Sequence, residues 1–94
     1  MPKSAVATIQ SDTPEARVTH WYLPSGSATG HHRHEFDYVV VPLTSGALTA
    51  VTSAGRVITP LTAGQAYFRK AGVEHDILNQ AATEFAFVEV EIKR

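Results

Sequence analysis

Four of the five histidines in this 94-residue chain occupy two places: His31, His32 and His34 stand together, and His75 follows much later. In an extended segment, residues i and i+2 project to the same face, so His32 and His34 face one way and His31 the other. A spacing of roughly 6.5–7 Å between them lets both imidazoles reach one ion. A His-x-His pair alone is a weak signal, because surface histidines also pair by chance. We predict a metal site in which His75 is the third ligand.

The segments that must position these side chains are short and rich in β-branched residues. Between residues 4 and 94 no stretch of a dozen residues shows a 3.6-residue apolar period. Turn residues instead separate short segments at intervals of about 8–12 residues, which is typical of a sandwich or barrel. We therefore predict an all-β fold. The predicted strands are 6–9, 17–23, 38–43, 48–52, 56–59, 66–69, 75–78 and 85–92.

Length and composition limit what the chain is expected to do. Ninety-four residues predict one domain, 1–94, with one core. The absence of cysteine excludes disulfides and cysteine-ligated metals. Eight basic against nine acidic residues give no general attraction to nucleic acid or to an acidic membrane surface. With no long apolar run and no secretory signal at the N-terminus, we expect a soluble, cytoplasmic protein.

Glycines and polar residues around the histidines form two spaced patterns. The first contains Gly26, His32, His34 and Gly46 (motif 1, about 26–46). The second contains Gly64, Gly72, His75 and Asn79 (motif 2, about 64–79), with Lys70 at the one position that departs from the pattern. Together they resemble the two motifs of the cupin superfamily, where a proline stands in place of Lys70. The resemblance implies a double-stranded β-helix, or jelly roll, forming one small barrel with the histidines facing its mouth.

In metal-binding cupins the motif histidines hold one divalent metal with a glutamate of the first motif. The resemblance implies that His32, His34 and His75 are ligands here for iron, nickel, zinc or manganese, whose identity the residues leave open. The glutamate is missing, and counting back from Gly46 puts Val39 at its position rather than Tyr38. We predict Asp37 as a possible replacement ligand, with Glu35 less favoured. Tyr38 is predicted to supply a hydrogen bond to metal-bound water.

The run from Thr29 to Thr44 narrows the resemblance to very small single-domain cupins of the type labelled beta-alanine degradation protein. This group implies a frequent homodimer, and we expect an edge strand such as 6–9 to pair between two copies. The leading interpretation is metal-assisted chemistry on a small polar organic molecule, of dioxygenase, isomerase or hydrolase type. The alternative is a cupin that binds or senses a small ligand without turnover.

Other residues are interpreted mainly as structural. We expect His20 to be a half-exposed strand residue and Asn79 to close a turn. Glu89 is a candidate cavity carboxylate, although an outward strand position is the commoner role. Two arginines, Arg33 and Arg69, have the chemistry to meet an anionic substrate but are more often surface charges. The aromatic residues expected to fill the barrel are Trp21, Phe68, Phe85 and Phe87.

Overall fold

The computed structural model describes residues 3–94 and contains eleven strands and no helix within that range. Alternating apolar and polar residues account for the longer strands, and glycine-containing turns separate many of them. The strands are β1 (Lys3–Ser4), β2 (Val6–Asp12), β3 (Ala16–Leu23), β4 (Ser27–Ala28), β5 (His32–Arg33), β6 (Asp37–Pro42), β7 (Gly46–Thr52), β8 (Gly55–Leu61), β9 (Tyr67–Arg69), β10 (Glu74–Leu78) and β11 (Phe85–Ile92).

These strands form two sheets. One sheet has the order β1-β4-β10-β7-β8, with β5 also paired to β10. The other has the order β2-β3-β11-β6-β9. Strands that follow one another in the chain therefore often lie in different sheets. Strand β10 lies between the short strands β4 and β5, which carry part of motif 1, and the long hairpin β7-β8.

The core lies on the inner faces of both sheets. Its buried members are Leu23, Tyr38, Val40, Leu48, Phe85 and Phe87. In β6 the buried residues alternate with half-buried ones, so Tyr38 and Val40 face inward while Val39 and Val41 face outward. In β11 the same alternation turns Phe85, Phe87 and Glu89 inward.

The all-β prediction is confirmed, and each predicted strand corresponds to an observed one. The two-residue strands β1, β4 and β5 were not predicted, because so few residues show no periodicity. Phe68 does not fill the barrel as predicted: it is 47% exposed, because on β9 it points opposite to Tyr67 and Arg69. No helix in the described range has the length and apolar character needed to cross a membrane.

Candidate metal centre

Backbone pairing brings the three predicted histidines together. His32 on β5 lies directly opposite His75 on β10 in an antiparallel pair, so their side chains are cross-strand neighbours. His34 follows β5 and is held by two further backbone bonds. Its N–H donates to the Val73 carbonyl at 2.8 Å, and its carbonyl accepts from the Gly72 N–H at 2.8 Å. Residues 41 positions apart are thereby placed on one inward-facing surface.

The three Nε2 atoms converge on one point. The Nε2 atom of His34 lies 3.1 Å from that of His32 and 3.1 Å from that of His75. Potential ligand atoms from all three residues lie within 4.8 Å of one another. Two nitrogens bound to one metal at about 2.0–2.1 Å, with an angle of 90–109° between them, are roughly 2.9–3.4 Å apart. The two distances from His34 therefore match those of ligands sharing one ion.

Hydrogen bonding between neutral rings does not account for both short contacts. The Nδ1 atom of His32 lies 2.8 Å from the Gly30 carbonyl, which assigns the proton to Nδ1 and leaves a lone pair on Nε2. The contact to His34 then requires a proton on the Nε2 atom of His34. Because the Nε2 atom of His34 then donates its proton to His32 and has no lone pair left, it can neither donate a second hydrogen bond to His75 nor accept one from it. A cation between the three nitrogens satisfies all of them.

Burial favours the neutral, metal-binding form of two of these rings. Desolvation lowers the pKa of His34 from 6.5 to about 4, with smaller contributions from His32 and His75. Desolvation and the neighbouring His32 likewise lower the pKa of His75 to about 4. Neutral imidazole is the ligating form, so these two side chains are ready to bind a metal at neutral pH.

On β6, the side chain next to the histidines is that of Tyr38, whereas Val39, at the motif position of the missing glutamate, faces outward. Val39 was assigned to that position by counting, but it lies on the outward face of β6. Tyr38 is buried, and its ring stacks on His34 with centroids 3.9 Å apart and an angle of 16° between the planes. Burial raises the pKa of Tyr38 above its ordinary value, so its phenol stays protonated. Tyr38 is therefore the β6 side chain that contacts the histidines.

The structure does not bring Asp37 or Glu35 into the cluster. The Asp37 carboxylate accepts a hydrogen bond from the Ala71 N–H at 2.9 Å and pairs with Arg94 at 2.6 Å. These two contacts lower the pKa of Asp37, which binds the chain terminus instead of facing the histidines. Glu35 is exposed on an outer cleft.

Glu89 is the carboxylate that faces the cluster, and the expectation of an outward position was wrong. It is 9% exposed, and its Oε1 atom lies 3.9 Å from the Nδ1 atom of His34. Burial, with a smaller contribution from Glu91, raises the pKa of Glu89 to about 7. Because Phe85 and Phe87 share its face of β11, the strand alternation was a signal for this inward position.

A cavity with a free volume of about 140 Å³ opens beside the three histidines. Its walls are mostly apolar, and its polar members include Tyr38, Tyr67, Arg69 and Glu89. A shallower outer cleft shares His32, His34 and Glu89 with this cavity. The histidine cluster therefore lies where the enclosed cavity meets the outer cleft.

The remaining sequence expectations have clear structural outcomes. His31 points away from the cluster, as its phase predicts, and its Nε2 atom lies 2.7 Å from Glu74. His20 is half-buried and lines neither cavity. Asn79 is 1% exposed, donates to the Leu23 and Thr83 carbonyls at 2.9 Å and so holds a turn. Arg33 lines the outer cleft, whereas Arg69 lines the inner cavity.

Comparison with known proteins identifies a relative that covers nearly the whole chain. The chain is 57% identical over 89 residues to the beta-alanine degradation protein BauB of Pseudomonas aeruginosa, covering 95% of this chain and 94% of that one. No protein-family model matches the chain.

Solved structures share the fold. A cupin domain from Bordetella pertussis Tohama I superposes with a TM-score of 0.98 at 48% identity, covering all of this chain and 98% of that one. A double-stranded β-helix protein from Klebsiella pneumoniae superposes with a TM-score of 0.79 at 23% identity, covering 96% of this chain and 77% of that one, and shows the fold alone. The predicted double-stranded β-helix is thus confirmed. The chain belongs to the cupin superfamily, in the family of small cupins that includes BauB.

Proposed function

We propose that this protein holds one divalent transition metal through the Nε2 atoms of His32, His34 and His75, and acts on a small polar organic molecule in the adjoining cavity. The observation that carries the proposal is the convergence of three nitrogens whose contacts hydrogen bonds between neutral rings cannot all satisfy. Imidazole ligands accept iron, nickel, zinc and copper, so the donor set fits a transition metal without selecting one.

The residues around the cluster support chemistry on an oxygen-bearing substrate. A divalent ion bound here supplies Lewis-acid chemistry, by polarising a substrate oxygen or lowering the pKa of a bound water. The protonated Tyr38 phenol lies against His34 and is available to donate a hydrogen bond. Glu89, with a pKa raised to about 7, is able to hold or release a proton near neutral pH. The apolar walls exclude water from the substrate.

The resemblance to BauB supports a substrate related to β-alanine. That relative is named for beta-alanine degradation. One water takes about 30 Å³ of liquid, so a cavity of about 140 Å³ has room for about five waters or for one small molecule. A three-carbon amino acid, or a product derived from it, fits within this limit.

A second copy of the chain is the partner that we propose. All seven residues of the edge strand β2 are exposed, including Val6 at 51% and Ile9 at 59%. A strand with both faces uncovered and one free edge is a ready pairing surface. A homodimer formed through β2 would cover these apolar side chains.

Metal analysis of the purified protein tests the proposal. Wild-type protein dialysed against one metal at a time is expected to retain one ion per chain. His75→Ala is expected to lose the ion while remaining folded by circular dichroism, because His75 is not a member of the buried apolar core. His20→Ala is the matched control, since its ring lies outside the cluster, and it is expected to keep the metal.

The same samples distinguish an enzyme from a binding protein. Consumption of β-alanine or of a derived acid that depends on metal and is lost in His75→Ala supports catalysis. Full metal occupancy and ligand binding without turnover would assign the cavity to ligand binding or sensing. If wild-type protein retains no metal, the proposal is wrong.

A further inference from the structure

We infer that Arg69 binds the carboxylate of a small organic acid in the inner cavity, an inference that rests on the proposed function and names its substrate class. Strand β9 pairs with β6, with Arg69 opposite Tyr38 and Tyr67 opposite Val40. Tyr38 and Val40 face inward, so Tyr67 and Arg69 face the cavity while Phe68 between them is exposed. Strand geometry therefore places Arg69, whose side chain is still exposed to solvent, among the residues that line the cavity.

The guanidinium of Arg69 is held in place but lacks an anionic partner. Its Cζ atom lies 4.4 Å from the centre of the Tyr67 ring, and Nη1 donates to the Phe68 carbonyl at 3.1 Å. Among residues 3–94 it forms no salt bridge, whereas Arg17 and Arg94 are paired with carboxylates. A guanidinium has five N–H donors in a planar fork that matches a carboxylate. Most of these donors on Arg69 remain free.

The charge of the site also selects an anion. The three clustered histidines offer only neutral ligands, so a divalent ion held by them keeps its full positive charge. Among the described residues that line the inner cavity, Glu89 is the one acidic residue, and Arg69 is the one arginine or lysine. The carboxylate of an acid bound in this cavity would therefore neutralise positive charge, from Arg69 and from a bound divalent ion, that the protein does not neutralise itself.

The position of Arg69 limits the length of the acid. Its strand neighbour Tyr38 stacks on His34, so one side chain separates the arginine from the cluster. With a free volume of about 140 Å³, which is room for about five waters, the cavity holds only a small ligand. The carboxylate on Arg69 and the part of the acid that reaches the histidines must share this volume, which indicates a short-chain acid.

Titration with propionate and with its neutral analogue propionamide tests this inference. Trp21 is the only tryptophan in the chain and lines the inner cavity, so its fluorescence reports binding. In zinc-loaded protein we expect propionate to bind more tightly than propionamide. Arg69→Gln is expected to weaken propionate roughly ten- to hundredfold with unchanged zinc content, while Arg69→Lys retains part of the affinity. Arg56→Gln, which changes an exposed arginine outside both cavities, is expected to bind like wild type.

Three results would overturn the inference: equal binding of propionate and propionamide, unchanged propionate affinity in Arg69→Gln, or loss of affinity in Arg33→Gln instead. The last would move the carboxylate to the outer cleft. Zinc content measured on the same samples separates this failure from failure of the metal proposal. If wild-type protein holds no zinc, the same titration of metal-free protein still shows whether Arg69 binds the acid.

Discussion

Two of the clustered imidazoles, those of His32 and His34, are oriented by different neighbours. His32 donates from Nδ1 to the Gly30 carbonyl, which directs Nε2 at the other rings. The His34 ring stacks on the Tyr38 ring through one face. At its edge, the Nδ1 atom of His34 lies near the Glu89 carboxylate. These contacts reduce the freedom of the ligands before any ion binds, which favours affinity.

Replacing Glu89 with glutamine is expected to weaken metal affinity about tenfold. A dication on Nε2 of His34 makes the Nδ1 proton more acidic, and a carboxylate within 4 Å of Nδ1 stabilises that charge better than an amide does. Competition with a chelator of known affinity measures the change. Glu91→Gln is the matched control, because Glu91 is paired with Arg17 and not with a clustered histidine. An equal loss of metal affinity in Glu89→Gln and Glu91→Gln would contradict a specific effect of the Glu89 carboxylate on His34.

Metal-free protein is expected to lose stability in acid. The unfolded chain protonates histidine near pH 6.5, whereas burial lowers the pKa of His34 and of His75 to about 4 in the folded state. The two histidines contribute fully to the free energy of unfolding above pH 6.5, and this contribution is lost as the pH falls towards 4. Glu89 opposes them, since its raised pKa of about 7 makes the folded state bind a proton that the unfolded state releases. The free energy of unfolding should therefore fall by on the order of 3 kcal/mol between pH 7 and pH 4.

Urea unfolding of chelator-treated protein at several pH values checks this dependence. Glu89→Gln removes the opposing contribution and should make the loss in acid steeper. His75→Gln removes one of the two histidines and should make it shallower. A free energy of unfolding that stays constant from pH 7 to pH 4 in the wild type would contradict the buried, neutral state of these rings.

At the scale of elements, β10 does most to assemble the site. It pairs with β5 to bring His75 beside His32, and it pairs with β7 to anchor both to the long hairpin. The turn before it depends on Gly72, whose φ of +98° is a conformation that L-residues rarely adopt. That turn supplies the N–H that binds the His34 carbonyl. The turn after β10 is held by Asn79.

Asn79→Ala is expected to lower the free energy of unfolding by roughly 2–4 kcal/mol. The side chain is buried and joins the end of β3 to the loop before β11, so its loss leaves the Leu23 carbonyl and the Ala81 N–H without their partners. Urea unfolding measures the change, and Gln80→Ala, at an exposed neighbour, is the control. A metal-binding stoichiometry that stays at one in Asn79→Ala would agree with its structural role. A free energy of unfolding equal to that of the wild type would contradict it.

Much of this arrangement could be predicted from the sequence, because the longer strands follow alternating patterns and the histidines follow motif spacing. The short strand β5 could not, since its two residues extend only because β10 pairs with them. Counting in the motif puts Val39 at the position of the missing glutamate, and the pleat of β6 turns the Val39 side chain outward and Tyr38 inward. The alternation of β11 indicates that Glu89 shares the face of Phe85 and Phe87, and the fold shows that this face is enclosed. The expectation of an outward position failed because a carboxylate in a strand is usually solvated.

At the scale of the whole molecule, the exposed β2 strand is expected to hold two copies together. The double variant Val6→Lys, Ile9→Lys should shift the protein to a monomer, because charges on both apolar positions oppose edge pairing. Light scattering at micromolar concentration measures the mass. Ile58→Lys, on β8 at an edge of the other sheet, tests the choice of edge. A wild-type monomer, or dissociation by Ile58→Lys alone, would contradict pairing through β2.

The most direct test of the account is a crystal structure of metal-loaded protein with anomalous scattering measured at the absorption edge of the metal. The account predicts one strong anomalous peak per chain, about 2.0–2.2 Å from the Nε2 atoms of His32, His34 and His75. A peak at the exposed pair of His31 and Glu74 alone, or no peak among the three rings at full metal loading, would contradict it.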